Sequence, residues 1–134
     1  NIVLFHGVSM IAEDPVMSLI LEEVEGLRLE NFCISSDIKF PLADRLHVLM
    51  GICRAMCYVH GQNPAIVHGD LKAMNVMVQS RERPFAKLLD FGLSRVLTNS
   101  AEPLGGTVHW MAPELLCRLQ RRPTTSADVF SFGR

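Results

Sequence analysis

A short part of the chain holds two carboxylates, an amide and an ammonium group between apolar segments: Asp70, Lys72, Asn75 and Asp90. Carboxylate and amide oxygens are hard ligands of the kind that Mg²⁺ prefers. A lysine can neutralise phosphoryl oxygens, and a positioned carboxylate can accept the proton of a hydroxyl. If these side chains converge, they predict chemistry on an anionic phosphate with a divalent metal.

Two short apolar segments are expected to bring these side chains together. Residues 76–78 and 85–89 have the pattern of strands, joined by a polar turn over 79–84. An antiparallel hairpin of these strands places Asn75 and Asp90 at the same end of the ribbon. Asp70 lies on the loop that leads into that end, so the sequence predicts one common site.

The remaining pattern predicts a scaffold of a few strands and helices. Residues 2–5 and 17–24 are expected to form an antiparallel hairpin through a turn at 13–15, followed by a short helix over 28–32. Further helices are expected over 114–119 and near 126–132. The strongest helical pattern begins at Pro41 and ends at Gly61. Its predicted buried face consists of Leu46, Leu49, Met50, Cys53, Met56, Cys57 and His60.

Composition limits the class of protein. The 134 residues are 49% hydrophobic and 20% charged, with a net charge of −1. This is a globular composition, and it argues against both a disordered tail and a nucleic-acid binder that acts through positive charge. No apolar run approaches the ~20 residues of a membrane span. The cysteines form no CxxC pair, and we expect reduced, buried thiols in a cytoplasmic protein. They are Cys33, Cys53, Cys57 and Cys117.

The order of several motifs resembles the catalytic domain of the eukaryotic protein kinase family. Residues 68–75, with the sequence HGDLKAMN, are similar to its catalytic loop, and residues 90–92, DFG, to its metal-binding motif. Residues 111–114, MAPE, resemble the end of its activation segment, and residues 128–133 the helix motif that follows. Residues 106–111 look like the tyrosine-kinase-like branch, whose members mostly phosphorylate Ser or Thr.

The resemblance implies a role for each of the polar side chains. Asp70 would accept the proton of a Ser or Thr hydroxyl on a protein substrate, and Lys72 would neutralise the phosphoryl group that is transferred. Asn75 and Asp90 would hold Mg²⁺. Thr107 is expected to contact the catalytic loop.

The resemblance also implies a binding site for ATP. Leu21 would lie at the gatekeeper position, and the hinge from Glu22 to Val24 would bind adenine through backbone groups. Met77 would form the floor of the adenine pocket. A buried stack of Phe5, His68 and Phe91, tied down by Asp128, is expected beside it.

The implied fold is α+β, the bilobal fold of protein kinases. Residues 1–25 would be the end of the N-lobe with the hinge, and residues 26–134 the first part of the C-lobe. The chain begins without Met and ends within a hydrophobic pattern, so we expect a piece of a longer protein. By itself this piece is expected to be inactive, because the glycine-rich loop and upstream lysine of the family are not among its residues.

One departure from the family's pattern keeps alternatives open. Gly69 replaces the arginine that usually contacts a phosphorylated activation segment, so only weak dependence on that phosphorylation is expected. Small-molecule phosphotransferases of the aminoglycoside or choline kinase type also use a His-Gly-Asp loop. The MAPE motif argues against that alternative. A second alternative is a pseudokinase scaffold, against which the intact Asp70, Lys72, Asn75 and Asp90 argue.

Overall fold

The computed structural model describes residues 1–11, 14–34, 41–79, 83–98, 105–116 and 122–134. Its elements combine short strands with helices, which confirms the expected α+β class. In chain order they are β1 (Phe5–Ile11), β2 (Asp14–Leu21), β3 (Leu27–Arg28), α1 (Leu29–Ile34), α2 (Leu42–His60), β4 (Ile66–Val67), a 3₁₀ turn (Ala73–Asn75), β5 (Val76–Gln79), β6 (Phe85–Leu88), β7 (Arg95–Val96), a 3₁₀ turn (Val108–Trp110), α3 (Pro113–Leu116) and α4 (Thr125–Phe132). The division at residue 25 stays a prediction.

Strands β1 and β2 form the expected antiparallel hairpin, with different bounds. Strand β1 begins at Phe5 rather than at residue 2. It continues to Ile11, because Gly7 lies at an irregularity in the ladder instead of ending the strand. Ile2 instead forms an isolated parallel bridge with Leu88. Of the expected turn at 13–15, residue 13 lies outside the described residues, and Asp14 and Pro15 belong to β2.

Helix α2 has the predicted bounds, with Pro41 before its first turn and Gly61 at its end. Its predicted buried face is wrong in most positions. The side chains of Leu46, Leu49 and Met50 are about half exposed. The residues that are buried are Val48, Gly51, Ile52, Ala55, Met56 and Val59. The helix has apolar side chains on more than one of its faces, so periodicity alone does not select the face that packs against the sheet.

The core lies between α2 and a sheet of strand order β3–β5–β6. Gly51 allows this close packing, since a Cβ there would lie 2.8 Å from Asn1 Nδ2 and 3.3 Å from the side chain of Ala86. The buried apolar cluster comprises Phe32, Val48, Ile52, Ala55, Met56, Val59, Leu71, Val76, Val78, Ala86 and Leu88.

The later helices and the cysteines complete the comparison with the expected pattern. Helix α4 is confirmed, and it is capped by the hydroxyl of Thr124, which accepts a hydrogen bond from Ala127 N at 3.1 Å. Helix α3 spans Pro113–Leu116, and residues 117–119 lie outside the described part of the chain, as does Cys117. The expected burial of the thiols is wrong for Cys33 and Cys57, which are exposed.

Cys53 is half-buried, and it follows the buried Ile52 in α2. Among the residues that the structure describes, no helix is long and apolar enough to cross a membrane.

Candidate active site

The β5–β6 hairpin brings Asn75 and the segment before Asp90 together, as the sequence predicts. Val76 pairs with Leu88 in the antiparallel register, and Leu89 N donates a hydrogen bond to Asn75 O at 2.8 Å. The next residue after Leu89 is Asp90. The strands therefore place the amide and the second carboxylate at one end of the ribbon.

The carboxylate of Asp70 is the centre of this site. It is 9% exposed, and each of its oxygens accepts two hydrogen bonds. Oδ2 accepts from Lys72 Nζ at 2.6 Å and from Asn75 Nδ2 at 3.2 Å. Oδ1 accepts from the backbone N of Thr107 at 2.9 Å and from its hydroxyl at 2.7 Å. Thr107 thus contacts the catalytic loop, which confirms that expectation.

These contacts set the protonation state of Asp70. Burial raises the pKa of its carboxyl, but the hydrogen bonds from Lys72 and Thr107 outweigh burial and leave the pKa below its ordinary value. The carboxylate is therefore ionised at neutral pH. An ionised, fixed acceptor is what the removal of a proton from a hydroxyl requires.

Asn75 and Asp90 present oxygens that fit a divalent cation. Asn75 donates from Nδ2 to the carbonyl and the carboxylate of Asp70, and the hydrogen bonds of the described residues leave its Oδ1 without a partner. Asp90 is exposed and adopts a left-handed backbone conformation with φ of 56°, which is uncommon for a residue other than glycine. One of its oxygens accepts from Gly92 N at 3.1 Å.

No group of three His, Cys, Asp or Glu side chains that could hold a metal is found in the described ranges. The expected pair of one amide and one carboxylate is therefore an incomplete set of ligands. Mg²⁺ usually takes few protein ligands and completes its shell with waters and phosphate oxygens. The donor set at Asn75 and Asp90 fits that mode of binding.

A second buried carboxylate, Asp128 on α4, binds the backbone of the loop. It is 2% exposed and accepts hydrogen bonds from His68 N at 2.8 Å and Gly69 N at 3.0 Å. His60 Nε2, at the end of α2, donates to it at 2.8 Å. The sequence suggested the link from Asp128 to the loop, and it placed His60 on the predicted buried face of the helix, but it gave no signal for the contact between the two side chains.

The side chain of His68 is completely buried, and its hydrogen bonds identify its tautomer. Nε2 donates to the carbonyl of Leu89 at 3.0 Å, and Nδ1 accepts from Asp70 N at 3.3 Å. One nitrogen donates and the other accepts, which corresponds to the neutral tautomer with its proton on Nε2. His68 thereby connects Asp70 with the segment that ends at Asp90.

The expected aromatic stack is present in part. The rings of His68 and Phe91 lie 5.0 Å apart, centre to centre. Phe5 is 55% exposed, and its expected burial in the stack is wrong. Phe5 is the first residue of the β1–β2 hairpin, which packs on its own strands rather than on the core.

The residues expected around adenine lie on three adjoining segments. Leu21 ends β2, Val24 lies in the segment without regular secondary structure that follows, and Met77 is in β5. Leu21 is exposed, whereas Val24 and Met77 are half-buried. In the described part of the chain, the backbone groups of Val24 have no hydrogen-bond partner, so they are free to bind a ligand.

The side chain of Glu22 is directed to protein groups. Its Oε1 pairs with Lys87 Nζ, and its Oε2 accepts from Leu4 N at 2.9 Å. The hydrogen bond from Lys87 holds the pKa of Glu22 below its usual value. Glu22 N also donates to Leu4 O at 2.9 Å, so only the backbone carbonyl of Glu22 is left for a nucleotide.

Gly69 has a backbone conformation that a larger residue would strain. Its φ is 80°, and a Cβ at this position would lie 2.7 Å from the carbonyl oxygen of Leu93. Introducing the family's arginine here would require the loop or Leu93 to move. Gly69→Arg is therefore not a simple way to create dependence on phosphorylation.

Comparison with known proteins shows the family. The family described as protein tyrosine and serine/threonine kinase matches residues 1–134. The whole chain is covered, so it belongs to this family, and the resemblance of its motifs is confirmed.

The relatives are kinases of different organisms. Serine/threonine-protein kinase CTR1 of Arabidopsis thaliana is 35% identical, over 99% of this chain and 16% of its own length. Receptor-interacting serine/threonine-protein kinase 3 of Homo sapiens is 38% identical, over 90% of this chain and 24% of its own. Dual specificity protein kinase shkA of Dictyostelium discoideum is 33% identical, over 99% of this chain and 25% of its own length. The chain thus spans a quarter or less of these curated relatives.

A solved structure supports the fold. The crystal structure of the yeast RNA Pol II CTD kinase CTDK-1 complex matches with a TM-score of 0.80, over 99% of this chain and 42% of that chain. The sequence identity is 21%, so this similarity concerns the fold alone.

Proposed function

We propose that this chain is the catalytic part of a serine/threonine protein kinase, which transfers a phosphoryl group from ATP to Ser or Thr hydroxyls of proteins. The observation that supports this most is the Asp70 carboxylate, ionised and fixed by Lys72, Asn75 and Thr107. The serine/threonine kinases among the relatives add support, and so does the similarity of residues 106–111 to the tyrosine-kinase-like branch.

The chain's own residues divide the work of such a transfer. Asp70 accepts the proton of the substrate hydroxyl, and its hydrogen bonds orient it before substrate binds. Lys72 neutralises charge on the phosphoryl group that moves. The hydroxyl of Thr107 donates to Asp70, and Lys72 Nζ donates to that hydroxyl at 2.7 Å, so these three side chains form one hydrogen-bonded unit. Asn75 and Asp90 would hold Mg²⁺, which neutralises negative charge on the phosphates.

A pseudokinase scaffold is the alternative from another functional class. It would bind partners, with or without nucleotide, and would not transfer a phosphoryl group. The intact set of Asp70, Lys72, Asn75 and Asp90 favours the enzyme. We also propose a cytoplasmic location, and the free thiols of the described cysteines are consistent with it.

The test uses the full-length protein that carries this chain, with Mg²⁺-ATP and a mixture of Ser, Thr and Tyr peptides. Asp70→Asn should lower turnover by ~10²–10⁴ while nucleotide affinity stays unchanged. Asp90→Ala should abolish Mg²⁺-dependent transfer. Asp44→Asn, a carboxylate of α2 remote from the site, is the matched control. Undiminished turnover in the Asp70 or Asp90 variant would refute the assignment, and nucleotide binding without any transfer by the wild type would favour the pseudokinase.

A further inference from the structure

The ion pair of Glu22 and Lys87 joins two segments that are far apart in sequence. Glu22 is the first residue after β2, and Lys87 lies in β6. Both side chains are largely shielded, with 18% and 17% exposure. The second oxygen of Glu22 accepts from Leu4 N, and Glu22 N donates back to Leu4 O at 2.9 Å. Glu22 is therefore held at three points.

The partner strand of this ion pair belongs to the candidate site. Lys87 is the direct cross-strand partner of Met77, the residue expected under adenine. The neighbouring Leu88 is also bound to the first segment of the chain, because Leu88 N donates to Asn1 O at 2.7 Å and Val3 N donates to Leu88 O at 2.9 Å. Segment 1–4, the beginning of the hinge and β6 thus form one hydrogen-bonded unit.

We propose that Glu22 and Lys87 are positioning residues for the nucleotide: their ion pair holds the hinge backbone at a set distance from Met77 and thereby determines the affinity for ATP. This inference rests on the proposed function, since it assumes that nucleotide binds at the hinge. Neither side chain contacts the nucleotide in this proposal. Glu22 is occupied by Lys87 and Leu4, and Lys87 is occupied by Glu22.

Ordering of the hinge before binding explains why this pair would affect affinity. A ligand that binds backbone groups gains affinity when those groups are already in place, since it then loses less entropy on binding. Without the ion pair, the segment from Glu22 to Val24 keeps only its two contacts with Leu4, through Glu22 N and through Glu22 Oε2.

The experiment measures the Kd of Mg²⁺-ADP by calorimetry, and kcat and KM for ATP, in the full-length protein. Glu22→Gln keeps size and can still accept from Leu4 N, so it removes only the ion pair. This variant and Lys87→Met should each raise Kd and KM by roughly fivefold, with kcat changed less than twofold. The double variant should be no worse than either single one. Lys87→Arg should restore most of the affinity, and Glu25→Gln, an exposed carboxylate nearby, should change nothing.

Several outcomes would overturn the inference. Unchanged affinity in both single variants, additive losses in the double variant, or higher kcat at unchanged Kd would each exclude a positioning role. Thermal unfolding of each variant shows whether a loss of affinity is only a loss of folded protein. A wild type that binds no nucleotide would refute the proposed function itself, and this inference with it.

Discussion

The β1–β2 hairpin and the loop around Asp70 distribute polar and apolar side chains in opposite ways. In the hairpin, large apolar side chains such as Val8, Met10 and Leu19 are exposed. In the loop, His68 and Asp70 are buried, together with Asp128 below them. Buried polar groups and exposed apolar surfaces are the two arrangements that demand an explanation in a folded chain.

The difference shows how each region is held. The buried side chains of His68 and Asp70 have hydrogen-bond partners outside the loop, and the single carboxylate of Asp128 joins α4 to α2 and to the loop. The hairpin is bound to the rest of the fold at its flanks, through the hydrogen bond of Val3 N to Leu88 O and the ion pair of Glu22 with Lys87. Stability should therefore respond strongly to changes in the loop and weakly to changes in the hairpin.

The largest effect is expected from Asp128→Ala. It leaves His68 N and Gly69 N buried without an acceptor, and it removes the partner of His60. We expect a loss of about 3–5 kcal/mol in the free energy of unfolding. Urea denaturation measures it, with the exposed Ser126→Ala on the same helix as the control. A loss below ~1 kcal/mol would mean that the loop is not anchored through this carboxylate.

Among the substitutions in the loop, Gly69→Ala should have the next largest effect. The backbone at φ of 80° is unfavourable for alanine, and its Cβ would approach Leu93 O at 2.7 Å. We expect a loss of about 1–2 kcal/mol. The matched control is Gly133→Ala, where φ is −79° and a Cβ would make ordinary contacts at 3.5 Å. Equal stability of the two variants in urea would show that the loop adopts another backbone conformation.

Thr107→Ala tests the hydrogen bonds that lower the pKa of Asp70. A carboxyl with a lowered pKa contributes stability above its unfolded pKa, and that stability is lost as pH falls through the folded pKa. Without the hydroxyl, the pKa of Asp70 should rise, so the acid limb of unfolding should move to higher pH. At neutral pH the loss should be about 1 kcal/mol.

The measurement is denaturation as a function of pH, with Thr107→Ser as the variant that keeps the hydroxyl. Thr107→Ser should follow the wild type throughout. If Thr107→Ala also follows the wild type as the pH falls into the acid limb, the hydroxyl does not stabilise the ionised Asp70.

The smallest effect is expected in the hairpin. Leu19 is 61% exposed, so Leu19→Ala should change the free energy of unfolding by no more than about 0.5 kcal/mol. The same substitution at Leu88, a fully buried leucine in β6, should cost about 2–5 kcal/mol. Similar losses at the two leucines, measured side by side in urea, would show that the exposed face of the hairpin is covered in solution.

The sequence by itself determined the parts of this protein that depend on neighbours along the chain. The β5–β6 hairpin follows from two short apolar runs around a turn, and its register places Asn75 and Asp90 together. The bounds of α2 follow from Pro41 and Gly61, which act on adjacent backbone groups. The order and spacing of the motifs around Asp70 and Asp90 are sufficient to indicate the family, because those motifs are contiguous runs of residues.

The tertiary structure decided what depends on distant partners. It selected which of two apolar faces of α2 is buried, since only the packed sheet distinguishes them. It left Phe5 exposed, and it joined His60 to Asp128 and Glu22 to Lys87 across more than sixty residues in each case. Such contacts produce no periodic pattern in the sequence, because the fold brings the two side chains together from distant positions in the chain.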